Sequence, residues 1–432
     1  MILANGKLYP TDRQEEILSG LEECLNRTLA EQSLSPEMVI AAIDRLGRRL
    51  DQGEFAPLLA QVEQADRYLA QIRPLLTREA LEYKLRVELG VDAAPYRTTP
   101  PDGLPSLSTR PAPLGVLLHI AAGNVDGLPA YSVVEGLLTG NINILKLPRA
   151  DNGLSVDILR QLIQEEPALT DFIYVFDTPS EDVDALLRMA QLSDGIVVWG
   201  GDGAVSAVRR FAPVGAKLIE WGHRLSFAYL SGPQPRAQDW PALAKHIIET
   251  RQLLCSSCQV IYLDTDSMEE VHAFCRDFLP ILEQAAARGP AKSLGASAEQ
   301  TLRRYQARIA RAISGKTENS GRTVYDSRGC SLTACADREL ELSDLFGNPL
   351  VKALPRRELL SVLRRQKGRL QTAGLLCPEA DRAALTDLLV RAGVNRVLGA
   401  GEMSDTFCGE AHDGEYPLRR YTRMVNVRLG QV

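Results

Sequence analysis

Residues 142–176, INILKLPRADNGLSVDILRQLIQEEPALTDFIYVF, carry the pattern that decides the fold. Ile142–Leu147 is a short apolar run that reads as a strand. Ser155–Gln164 spaces its apolar residues as a helix does, and Phe172–Phe176 is apolar throughout again. The strand–helix–strand unit repeats on both sides. Upstream lie a strand at Leu114–Ile120, a glycine-containing turn and an apolar helix near Ala130–Leu138. Downstream come a helix at Glu181–Leu192, a strand at Ile196–Trp199, a helix from Ala204 to Phe211 and a strand at Lys217–Trp221. Strands alternating with short helices predict right-handed crossovers and a parallel sheet covered on both faces. The fold class is α/β, doubly wound.

Outside this block the texture changes. Residues 11–95 read as helical, with Ile17, Leu18, Leu21, Leu25 and Leu29 at three- and four-residue steps. Ser35-Pro36-Glu37 has the order of a cap followed by proline at the first helical position. Pro100, Pro101, Pro105, Pro111 and Pro113 crowd a short stretch with the composition of a linker or extended arm. After Leu230 a helix at Ala242–Arg251, a strand at Val260–Leu263 and a helix at Glu269–Ala286 open a second α/β unit. Strands at Thr323–Tyr325 and Leu370–Leu376 and a helix at Arg382–Ala392 complete it, and Tyr421–Leu429 alternates as a terminal strand. The expected division is 1–95 helical region, 96–250 nucleotide-binding domain, 251–405 catalytic domain and 406–432 tail.

Composition excludes several classes. The 432 residues are 45% hydrophobic and 24% charged, as in a folded globular chain. A formal net charge of −6 argues against a nucleic-acid binder. No apolar run reaches the ~20 residues of a membrane span, and the N-terminus lacks a secretion-signal pattern. Eight cysteines, most of them isolated, suit free thiols in a reducing, cytoplasmic setting.

Four places can carry chemistry. Gly201-Asp202-Gly203-Ala204-Val205-Ser206 follows a strand and opens a helix, a turn that either receives a pyrophosphate on its N–H groups or serves packing. Gly123-Asn124-Val125-Asp126-Gly127-Leu128-Pro129 lies where the first strand ends, so Asn124 either forms an Asx-turn or donates to a developing oxyanion. Lys146 closes an apolar strand and must reach solvent or an anion. Gln252-Leu253-Leu254-Cys255-Ser256-Ser257-Cys258-Gln259 allows half a zinc site, a thiol–disulfide couple, inert packing or a nucleophilic Cys255. The histidines show no ligand spacing that would complete a zinc site, and a polar loop between helix and strand suits a nucleophile. No phosphate-binding loop of the kinase and ATPase type is present.

In this order, Gly123-Asn124, Lys146, Gly201, Glu220-Trp221-Gly222 and Cys255 resemble the aldehyde dehydrogenase superfamily. More narrowly, Gly140-Asn141, Gln371-Thr372-Ala373-Gly374 and His412-Asp413-Gly414, with the stretches around Asn124 and Cys255, resemble its acyl-CoA reductase (LuxC-like) branch. That branch includes the fatty-acyl reductase that supplies aldehyde to bacterial luciferase. The resemblance implies two doubly wound domains, an N-terminal helical region and a C-terminal oligomerisation strand, with a homodimer or homotetramer as the assembly. It implies Cys255 as nucleophile, Asn124 as oxyanion donor, and Lys146, Gly201, Gly203 and Gly222 on the cofactor. The substrate it implies is an acyl thioester, with CoA or an acyl-carrier protein as the thiol. Glu220 matches the carboxylate that activates water in hydrolytic relatives, a water that a reductase must avoid. Arg149 stands where many NAD-using relatives carry Glu; a cation suits a 2′-phosphate, which points to NADPH. Three alternatives share parts of this pattern. They are an acyl-phosphate reductase using the Arg303–Arg311 stretch, an NAD(P)-dependent aldehyde dehydrogenase, and a scaffold that retains the fold alone.

Overall fold

The computed structural model describes residues 1–60, 62, 65–90, 96–97, 107–123, 126–149, 151, 153–232, 237–289, 295, 297–298, 301–302, 305–306, 309 and 321–428. The chain divides into two units, Met1–Gly222 with Thr406–Val432, and His223–Asp405.

The first unit opens on a hairpin, β1 (Ile2–Ala4) and β2 (Lys7–Tyr9), before its helices α1 (Gln14–Glu31), α2 (Pro36–Asp51), α3 (Ala56–Leu59), α4 (Ala65–Ile72) and α5 (Arg78–Leu89). Pro36 sits in the first turn of α2 as its sequence requires. Two short strands follow, β3 (Tyr96–Arg97) and β4 (Ser108–Pro113). The crossover block is then β5 (Val116–Ile120), α6 (Leu128–Leu138), β6 (Ile142–Lys146), α7 (Leu154–Glu165), β7 (Ile173–Phe176), α8 (Val183–Gln191), β8 (Gly195–Trp199), α9 (Asp202–Phe211) and β9 (Lys217–Trp221). The sheet order is β2-β1-β7-β6-β5-β8-β9, parallel from β7 to β9. The order reverses between β5 and β8, the topological switch point at which such sheets take ligands.

Apolar strands make this core: every residue of β6, β7 and β8 is buried. The polar residues among them are satisfied from within. His119 accepts or donates at both ring nitrogens, to Ser132 Oγ at 2.7 Å and Asn143 Oδ1 at 3.0 Å, and burial lowers its pKa to about 4, so it stays neutral. Gly136 on α6 is required by that arrangement, because a Cβ there would lie 1.8 Å from Asn143 Oδ1.

In the second unit, β10 (Leu225–Leu230), α10 (Asp239–Thr250), β11 (Cys258–Leu263) and α11 (Met268–Arg288) lead to β12 (Arg322–Ser327), β13 (Cys330–Cys335) and β14 (Leu350–Ala353). Then come α12 (Arg356–Leu363), β15 (Leu370–Leu376), α13 (Glu379–Ala392) and β16 (Arg396–Gly399). The sheet order is β12-β13-β14-β11-β10-β15-β16. The crossing between units therefore falls after Gly222, upstream of residue 250 as read from the pattern. The reason is β10, which pairs in parallel with β11 and β15 and carries α10 with it.

The chain ends in the first unit with α14 (Pro417–Arg420) and β17 (Thr422–Val427). β17 pairs antiparallel with β4, so the proline-rich arm is a strand over Ser108–Pro113. Ser108 and Thr109 of β4 also pair with Arg97 and Tyr96 of β3. Among the described residues no helix is long and apolar enough to cross a membrane.

Candidate functional site

Two constellations emerge, one in each unit. In the first, the carboxyl ends of β6 and β7 place Lys146 beside the turn at residues 177–182. Lys146 is buried and its Nζ donates to Ser180 Oγ at 3.0 Å. Burial lowers its pKa, against the pull of Glu181 and Asp177. Arg149, exposed to solvent, pairs with the exposed Glu181 at 3.3 Å, a weak contact that an anion can displace. On the far side of the switch point, α9 starts on Gly201-Asp202-Gly203. A Cβ at Gly201 or Gly203 would meet nothing within 4 Å, so the backbone stands open to a large ligand. A Cβ at Gly222 would meet only Val205 Cγ2, at 3.9 Å, an ordinary contact distance. An ammonium, a guanidinium and an open helix start flanking one switch point fit a dinucleotide phosphate chain. Asn124 lies outside the described residues, as do Arg303, Arg304, Arg308 and Arg311.

Glu220 on β9 is committed elsewhere. Arg209 of α9 holds its two carboxylate oxygens in a bidentate pair, both at 2.6 Å.

The second constellation is the turn that carries Cys255, between α10 and β11. Arg251 and Gln252 leave the helix in left-handed conformation, φ +52° and +60°, which costs free energy for residues with a side chain. The opposing loop repeats the feature at Leu345 and Phe346, φ +59° and +52°. Gln252 joins them. Its Nε2 donates to the Cys258 carbonyl (2.8 Å) and to Ser343 Oγ (2.9 Å). Its Oε1 accepts from the Gly347 and Asn348 amides at 3.0 and 2.9 Å. Gln259 completes the clamp, donating to the Gln252 carbonyl at 2.9 Å and accepting from Ser343 Oγ at 2.8 Å. From the sheet side, buried Ser226 donates to the Cys255 carbonyl at 2.7 Å and accepts from the Thr372 amide at 3.0 Å. This is the structural role of the Gln371–Gly374 stretch.

Cys255 is exposed on this clamped turn, whereas Cys258 is fully buried and burial pushes its thiol up to about 12. The two sulfurs have opposite environments, and only the first can present a thiolate to a substrate. Gln252 and Gln259 bound the cysteine cluster in sequence, but their role was not legible there; Ser343 and Asn348 gave no signal.

A sequence profile described as acyl-CoA reductase (LuxC) matches residues 31–424. The chain belongs to this family. Its relatives include the long-chain acyl-protein thioester reductase 2 of Photobacterium leiognathi, 24% identical over 325 residues, with 73% of this chain and 64% of the relative covered. The long-chain acyl-protein thioester reductase of Aliivibrio fischeri is 23% identical over 334 residues, with the same coverage. The chain thus spans less than two thirds of the length of these relatives. Among solved structures, an indole-3-acetaldehyde dehydrogenase complexed with NAD+ superposes with TM-score 0.72 at 12% identity, covering 96% of this chain and 88% of that one. The glyceraldehyde-3-phosphate dehydrogenase GapN of Methanocaldococcus jannaschii, complexed with NADP, gives TM-score 0.72 at 12% identity, covering 98% and 95%. The fold of this LuxC-family chain is that of the aldehyde dehydrogenases.

The thiols of the family member differ enough to be told apart chemically. Burial raises Cys258 and Cys275 to about 12 and Cys335 to about 11, and Cys408, though exposed, has its pKa raised and its sulfur on the Ala80 carbonyl. Iodoacetamide at pH 7.5 is expected to alkylate Cys255 at least about tenfold faster than any other cysteine, read by peptide mass spectrometry. Faster labelling of Cys408 or Cys24 would remove Cys255 from the role of nucleophile.

Proposed function

We propose that the chain reduces an acyl thioester to the aldehyde with NADPH, through an acyl-enzyme on Cys255. The observation that carries this reading is an exposed cysteine on a turn held by buried side chains, in a chain of the acyl-CoA reductase family. The Cys255 thiolate adds to the thioester carbonyl. The adduct expels the thiolate of CoA or of a carrier protein, which takes up a proton, and the acyl group remains on Cys255 Sγ. A reduced nicotinamide, when bound, supplies a hydride to that acyl carbon. The carbon–sulfur bond then breaks, aldehyde leaves and Cys255 returns as thiolate. Asn124 keeps, from the resemblance, the role of an oxyanion donor.

Arg209 supports reduction over hydrolysis. By engaging both oxygens of Glu220, it occupies the carboxylate that in hydrolytic superfamily members would activate water.

Lys146 would hold the adenosine ribose and Arg149 the 2′-phosphate, since a bidentate guanidinium suits a phosphate and the carboxylate it replaces would repel one. Arg149→Ala is expected to raise KM for NADPH about 5–10-fold, or ~1–1.4 kcal/mol, and to leave KM for NADH unchanged. Equal effects on the two nucleotides would contradict this assignment. The names of the relatives favour a protein-borne acyl group over free acyl-CoA. Nucleotide oxidation with acyl-CoA and acyl-carrier thioesters of two to sixteen carbons, with aldehyde identified as product, tests the reaction and its donor. Failure of every thioester, with turnover of acyl phosphates, would overturn it. A cytoplasmic setting and assembly with further copies through β17, an edge strand of its sheet, belong to the same proposal.

A further inference from the structure

The stretch His412-Asp413-Gly414 has no part in the reading above, yet the first unit places it at the carboxyl edge of the nucleotide sheet. His412 and Glu415 exchange backbone hydrogen bonds at 2.9 and 2.8 Å, closing a turn in which Asp413 and Gly414 are left-handed. The turn lays the His412 imidazole against two indoles. Its centroid is 5.0 Å from Trp199 and 5.0 Å from Trp221, the last residues of β8 and β9, which pair in register. Both indoles are buried, while the imidazole keeps 35% of its surface in solvent. Trp199 directly precedes Gly200 and the open start of α9.

Position then assigns a ligand half. A dinucleotide in such a sheet spans the switch point, with one mononucleotide on either side. With the adenosine end at Lys146 and Arg149, beyond β6 and β7, the nicotinamide end extends toward β8 and β9, where His412 lies. We propose that His412 contacts the nicotinamide half of the bound cofactor and, when protonated, favours the reduced form over the oxidised one. The inference rests on the cofactor reading above and adds a selectivity to it. The nicotinamide ring carries one positive charge when oxidised and none when reduced, and the rest of the nucleotide is identical. A cation beside it therefore penalises the oxidised form alone.

Among the described residues, several charged and titratable groups lie near His412. Asp413 Oδ2 lies 3.8 Å from its Nε2. Glu415 is paired with Arg420, which also donates to the Leu218 carbonyl at 2.8 Å, and Glu220 on β9 is paired with Arg209. The Tyr421 hydroxyl is held neutral by burial, its pKa well above the ordinary value, and buried His119 is held neutral at about 4. Histidine is the side chain whose charge ordinarily changes between pH 5 and 8, and the His412 ring lies against two indoles.

Calorimetry of NADP+ and NADPH binding to the wild-type chain and to His412→Gln, from pH 8.5 to 6, tests this. The 2′-phosphate titrates in both nucleotides and cancels in the ratio of their Kd values. In wild type, Kd(NADP+)/Kd(NADPH) is expected to rise about tenfold toward pH 6, and in His412→Gln to stay constant. Proton counting in buffers of different ionisation enthalpy near pH 7 provides a reading on wild type alone: NADP+ binding releases more protons than NADPH binding. A flat wild-type ratio with equal proton counts, or an equal rise in His412→Gln, overturns the inference while leaving the cofactor assignment in place. Absence of binding by either nucleotide at any pH overturns both.

Discussion

Cys255→Ala is expected to abolish aldehyde formation, lowering kcat by at least about 10⁴-fold, while nucleotide affinity and Tm stay at wild-type values. The size follows from the chemistry. Without a nucleophile, hydride would have to reach the thioester directly and expel a thiolate in the same encounter. The covalent route divides that step into an acyl transfer and a reduction. Stability is spared because Cys255 is exposed: its side chain fills no core space, and the bonds that hold its turn run through its carbonyl and through Gln252. A second measurement separates loss of the nucleophile from loss of a substrate contact. Wild-type chain mixed with thioester in the absence of nucleotide accumulates a mass increment equal to the acyl group on the peptide containing Cys255, and Cys255→Ala accumulates none. Near-normal reduction by the alanine variant, or an acyl group found on another residue, would end the assignment.

How much of this could be read beforehand depended on where each signal resides. β9 at Lys217–Trp221 and β15 at Leu370–Leu376 were legible to the residue, because each is a short, mainly apolar stretch whose signal is local. β14, Leu350–Ala353, was hidden by Lys352. That lysine is fully buried, and its ammonium is satisfied by Asp337 at 2.5 Å, Glu341 at 2.6 Å and the Glu339 carbonyl at 2.7 Å, partners that no local pattern reveals. β13, Cys330–Cys335, is buried along its whole length although four of its six residues are Ser, Thr and Cys with weak apolar signal. β1 and β2, three residues each, are too short for any periodicity. The same division holds at the site. Cys255 and Lys146 stood out because their residue types are chemically conspicuous. The clamp around Cys255 did not, since an uncharged Gln becomes decisive only through groups some 85 to 95 positions away in the chain.

That clamp makes Gln252→Leu the other substitution of large effect. Leucine has a similar volume and removes every hydrogen bond of the carboxamide. The Gly347 and Asn348 amides and the Cys258 carbonyl then lose a partner in a place closed to water, at about 1–3 kcal/mol for each group left unsatisfied. The total is expected at ~3–5 kcal/mol, since the loops relax in part, and at ~2–4 °C per kcal/mol the second unit should melt ~6–20 °C lower. The four left-handed residues give the substitution a catalytic effect beyond stability. The carboxamide ties the loop of Arg251 and Gln252 to that of Leu345 and Phe346, together with the Phe346 amide on the Arg251 carbonyl, and its loss loosens the turn that carries Cys255. At a temperature where the variant remains folded, kcat should fall about 10²-fold, as expected for a reacting group displaced by ~1 Å. The iodoacetamide rate at Cys255 should change with it, while KM for NADPH does not. A variant that melts at the wild-type temperature would show that the carboxamide holds nothing. One that melts low yet turns over normally would show that the clamp serves folding and not the nucleophile.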